Sequence, residues 1–141
     1  MSDPTVDRYA RGLFTCAALF NFCAGLPILL AMPWMAQVIG MRPVPDAPLL
    51  AHLFGVLVLV FGWGYWRVAR DPVANRPIIH MGIVGKSLVV LSVGYDFLMG
   101  NTNWPFALLV SGDAVFAALF AAYLGSRPLR ASRGNGISLG I

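Results

Sequence analysis

The chain has 141 residues, of which 58% are hydrophobic and 11% charged, with a formal net charge of +4 and a mean hydropathy of +0.73. A water-soluble domain carries about 25% charged residues, so most of this surface faces something other than water. The basic residues lie between apolar segments and are not interleaved with aromatics on a water-facing element, which argues against nucleic acid as a partner.

The first eleven residues are polar and end in Arg8-Tyr9-Ala10-Arg11. The apolar run 12–32 behind them is too long for the core of a signal peptide and is predicted as a first transmembrane helix, kinked at Pro27. Cys16 and Cys23 lie on one face of it, two turns apart, too far for a disulfide. They read as small packing residues. Pro33 ends the run. The stretch 34–41 is apolar but short, and is predicted to lie along the membrane interface with Trp34 as an anchor. Pro43, Pro45 and Pro48 make the next segment a loop.

A second span is predicted at 49–66, closing with Trp63, Tyr65 and Trp66. A tight polar turn leads to a third at 77–99, and Gly100-Asn101-Thr102-Asn103 turns into a fourth at 104–124. Residues 1–125 thus form one four-helix membrane domain, and 126–141 a basic tail expected to be disordered. Arg8, Arg11, Arg67, Arg70, Arg76, Arg127, Arg130 and Arg133 fall on one side of the spans, against Arg42 on the other. By the positive-inside rule both termini are cytoplasmic. The fold expected is all-α, an up-down-up-down bundle of four transmembrane helices with a short interfacial helix between the first two.

Two formal charges fall inside predicted spans. Lys86 lies about 13 Å in from one side and Asp113 about 13 Å in from the other, by the helix rise per residue. In a hydrocarbon core about 30 Å thick both are near the middle. A lone charge there costs about 2.5–3.5 kcal/mol on translocon scales, so opposite charges at one depth are expected to pair. Asn21 reaches the same level in the first span, which makes Asn21, Lys86 and Asp113 the candidate midplane site. Small residues accompany them at helical spacing: Ala17 and Gly25, Gly82, and Ala117, Ala121 and Gly125. The alternative is a self-contained pair that only sets helix register.

Asp96, near the outer end of the third span, together with Arg42, His52 and Tyr95, forms a second candidate, an outer gate. His52 and His80 lie about 20 Å apart and cannot ligate one haem between them, though His52 with Met99 stays geometrically open. They read as ordinary interfacial histidines. No phosphate loop, HExxH or GxSxG motif is present. An enzyme is disfavoured, and neither a cofactor nor a metal site is expected.

The run Asn21-Phe22-Cys23-Ala24-Gly25-Leu26-Pro27, Gly62-x-Gly64-Tyr65 before Ala69-Arg70-Asp71-Pro72, Gly82-x-x-Gly85-Lys86, and Gly112-Asp113 with Phe116 and Phe120 has a familiar pattern. It resembles uncharacterised small bacterial four-helix membrane proteins of the DoxX-like kind. The resemblance implies a bacterial cytoplasmic (inner) membrane. Two functions are carried forward. One is binding or proton-linked transport of a small or lipophilic guest, with a homo-oligomer supplying the path. The other is a non-catalytic accessory or stabilising subunit of a larger membrane complex.

Overall fold

The computed structural model describes residues 4–41 and 49–126, with side chains from residue 8 onward. Arg42 of the expected outer gate and the basic tail after Ser126 lie outside the described residues. The fold is all-α. In chain order the helices are α1 (Pro4–Leu30), α2 (Met32–Val38), α3 (Leu49–Arg70), α4 (Arg76–Leu98) and α5 (Trp104–Gly125). Four of them, α1 from Arg8 onward, α3, α4 and α5, are long and apolar enough to cross a membrane. Their outward faces are apolar too: Leu91 is 68% exposed, Leu98 85% and Leu50 80%. Such a surface requires lipid. The protein is a multi-span integral membrane protein.

Helix α1 starts earlier than its apolar run. Ala10 is buried while Tyr9 and Arg11 point outward, so residues 8–11 are an amphipathic extension of the span. The break between α1 and α2 falls at Ala31, whose φ of −142° leaves the helical region. Pro33 two residues later has no N–H to continue the ladder, so the chain restarts as a second helix. That helix packs on the bundle by one face. Met32, Met35, Ala36 and Ile39 share one stripe at helical spacing and are all buried, packed with Ile28, Phe106 and Leu109. Trp34 stays on the opposite face, 56% exposed.

Helix α3 continues to Arg70 rather than stopping at Trp66. Two arginines in its last turn oppose the negative end of the helix dipole. Each stacks on an indole, Arg67 at 5.5 Å from the Trp63 ring and Arg70 at 4.0 Å from that of Trp66. Asp71 then turns the chain, its carboxylate accepting from the N–H groups of Val73 and Ala74 at 3.2 and 3.0 Å. The cysteines depart from expectation. Both are exposed on the outer face of α1 and pack nothing in the core, because the stripe Ala17, Ala18 and Asn21 takes the inward side.

The helices pack as two pairs, α1 with α3 and α4 with α5. At the first crossing Gly25 meets Gly55. A Cβ on Gly55 would lie 3.2 Å from the Gly25 carbonyl and 3.3 Å from the Leu29 nitrogen, so only glycine allows this approach. The pairs close on each other at the end bearing the arginines. There Phe14, Tyr65, Phe120 and Tyr123 interlock with Val68 and Ile79. At the α2 end they stay apart.

Candidate functional site

Lys86 sits in the fourth turn region of α4 and Asp113 in the middle of α5, the helix packed beside it. Their side chains form an ion pair, with Lys86 6% and Asp113 19% exposed. The Lys86 ammonium also donates to Asn21 Oδ1 at 3.3 Å, and the Asn21 amide donates to the backbone carbonyl of Val58 at 3.1 Å. One polar chain thus runs from α5 through α4 and α1 to α3. Among the described residues no buried side-chain nitrogen or oxygen lacks a partner. That completeness is what lets two charges sit in low dielectric.

Aromatic rings surround the ammonium. The Tyr65, Phe116 and Phe20 ring centres lie 5.2, 5.5 and 5.6 Å from Lys86 Nζ, all within cation–π reach. Glycines make room for them. A Cβ on Gly82 would stand 2.8 Å from the Tyr65 ring, and one on Gly112 would stand 2.8 Å from that of Phe20. The small-residue lanes of α4 and α5 therefore seat rings around the charge. Ala117 is buried in that lane, but Ala121 and Gly125 are exposed and leave it.

Of the sequence candidates, Asn21, Lys86 and Asp113 come together. They share a wall of a cavity of about 240 Å³ that lies between the two helix pairs and extends toward the α2 end. Apart from Tyr65 the rest of its lining is apolar, from Ala24 and Ile28 on α1 to Val110 and Phe106 on α5, with Met35 and Ile39 of α2 over the far end. Phe54 and Leu57 of α3 line it and are also exposed outside. The cavity therefore approaches the surface beside α3. A separate apolar groove of about 540 Å³ runs between α2 and α5, and Phe20, Met35, Ile39 and Leu109 stand in the partition between groove and cavity.

Of the described members of the second candidate set, Asp96, Tyr95 and His52, only Asp96 lines a pocket. Asp96 lines a polar pocket of about 430 Å³ with Gly40, Met41 and Asn103, and its carboxylate accepts from Asn101 Nδ2 at 3.2 Å. Tyr95 is exposed on the outward face of α4, and His52 lines neither that pocket nor the cavity beside the ion pair. At the pocket rim the Asn103 amide donates to the Gly40 carbonyl at 2.6 Å while its oxygen accepts from the Phe106 N–H at 3.2 Å. One side chain so caps α5 and ties the end of α2 to it. His80 is exposed, and Met99 caps α4 at the surface. No group of three or more metal-ligating side chains occurs among the described residues.

Four contributors escape a reading based on polar spacing alone. Tyr65 looks like one of an interfacial aromatic trio, yet it is 1% exposed while Trp63 and Trp66 face outward. The helical period separates them: Tyr65 follows Phe61 by four residues on the inner face, and Trp63 is half a turn away. Phe116, three residues past Asp113, carries the same kind of signal. Phe20 and the Val58 carbonyl carry none.

In comparison with known proteins, no family model matches the chain, no curated protein matches it and no solved structure matches it. The DoxX-like resemblance therefore gains no family behind it, and the chain stands as a four-span helical membrane protein.

Proposed function

We propose that the protein binds a small, largely apolar guest in the midplane cavity and couples that binding to a proton at the Lys86–Asp113 pair, with the arginine-bearing end in the cytoplasm. The observation behind this reading is that the ion pair forms the polar end of an otherwise apolar cavity. An apolar cavity of about 150 Å³ already holds benzene, so the volume suits a guest somewhat larger than one ring.

A guest group that takes either charged partner strands the other. An uncompensated buried charge costs several kcal/mol, and the stranded group escapes that cost by changing its protonation state. Guest and proton are then linked without any further device. The bundle encloses little volume, so a homo-oligomer supplies the rest of a path across the membrane.

The test is proton flux in proteoliposomes during successive addition of a branched amine, carboxylic acid and alcohol of similar size. At least one of them drives flux with the native protein and none does with Asp113→Asn. Flux that persists unchanged in the variant, or a silent native protein, refutes the transport reading. A silent protein that purifies with foreign chains in native mass spectrometry favours the accessory-subunit role instead.

A further inference from the structure

The surroundings of Lys86 specify more than a charge of opposite sign. Three ring faces at 5.2–5.6 Å, one carboxylate and one amide oxygen converge on a single point. Rings attract cations through their quadrupole, and a box of them with an anionic floor is the donor set that recognises organic ammonium groups. Here that set is occupied by the chain's own ammonium, at the end of a cavity with room for an alkyl body. We infer that the site takes small organic ammonium ions, which replace the Lys86 ammonium in the aromatic box and expel its proton. The inference rests on the guest-binding reading above and names the class of guest.

Charge balance sets the exchange. The resting site holds one positive and one negative charge. Around Lys86, α5 supplies the carboxylate of Asp113, α3 the phenol of Tyr65, α1 the neutral amide of Asn21, and α2 only the apolar Met35 and Ile39 farther along the cavity. Among the described residues no second acid lines the cavity to balance a second cation. An entering ammonium ion therefore pairs with Asp113, Lys86 releases one proton to water as a neutral amine, and the site stays neutral. Its flexible four-carbon stem lets the uncharged amine withdraw along the wall. An organic anion has no comparable berth, since the rings repel it and Asp113 already holds the lysine.

Choline and its uncharged carbon isostere 3,3-dimethylbutan-1-ol separate the inference from the reading it rests on. Titration calorimetry on the full chain in lipid nanodiscs, in two buffers of different ionisation enthalpy, counts protons released per guest bound. The expected result is one proton per choline, with affinity rising up to about tenfold per pH unit as linkage requires, and none for the alcohol. Phe116→Leu should weaken choline about tenfold, within the range for a desolvated cation–π contact, and leave the alcohol unchanged.

Binding of the alcohol but not of choline leaves the guest cavity standing and overturns the inference. Choline that binds without releasing a proton from the native protein overturns it too, as does an equal loss for both ligands in Phe116→Leu. If neither ligand binds, the cavity reading falls and takes the inference with it.

Discussion

The two ends of the bundle are built on different principles, and the polar chain lies where they meet. At the arginine end, aromatic and β-branched side chains from all four long helices fill the interior. Phe14, Phe120 and Tyr65 are fully buried, with Phe120 tilted against Phe14 at 4.7 Å between ring centres and edge-on to Tyr65 at 5.1 Å. At the other end the core is Met32, Met35 and Ala36 of the short helix after a proline break, with Ile39 at its cap and Ile28 of α1, and a cavity remains beneath it. Rigid rings specify one packing, whereas methionine adapts to several. One end holds the helices in register, and the other leaves space that can be filled and refilled. Lys86 and Asp113 sit on the boundary, braced by rings on one side and facing the cavity on the other.

The boundary itself should be the most sensitive point. Asp113→Ala leaves the Lys86 ammonium buried without its partner and is expected to cost about 3–5 kcal/mol, whereas the double replacement Lys86→Met with Asp113→Leu recovers most of that loss. Reversible unfolding in mixed micelles measures both. A single variant as stable as the native protein would mean that water already reaches the ammonium.

The contrast between the ends can be tested by truncating one side chain in each. Phe120→Ala should cost about 3–5 kcal/mol, and Met35→Ala about 2 kcal/mol, since it only enlarges an existing cavity. Equal losses would erase the distinction between a filled end and an open one. Along the α1–α3 seam, Gly55→Leu drives a side chain into the Gly25 carbonyl and should cost about 1–3 kcal/mol. Crosslinking between cysteines placed on α1 and α3 would report the separation.

The smallest effect concerns the tie over the open end. Asn103→Ala removes the cap of α5 and the bond to Gly40, for about 1 kcal/mol. Hydrogen exchange should quicken in α2 and leave the arginine end untouched. Faster exchange throughout would mean that the two ends open together.

Much of this was legible from composition and period alone. Length and hydropathy dictate four spans, because a backbone in lipid must satisfy itself within a helix. Two opposite charges at one depth dictate a pair, because neither is tolerable alone. Lys86 and Asp113 accordingly meet, and Asn21 joins them. What the chain order leaves open is rotation and lateral placement. Period places Tyr65 opposite Trp63 but cannot say that the space before Gly82 admits its ring. Nor does a short apolar stretch after a proline disclose which of its faces is buried. The buried stripe of Met32, Met35 and Ala36 is decided by the gap that two helix pairs leave between them. Depth is a property of one helix and can be counted along it, whereas a box of three rings and a cavity belong to several helices at once and exist only when they pack.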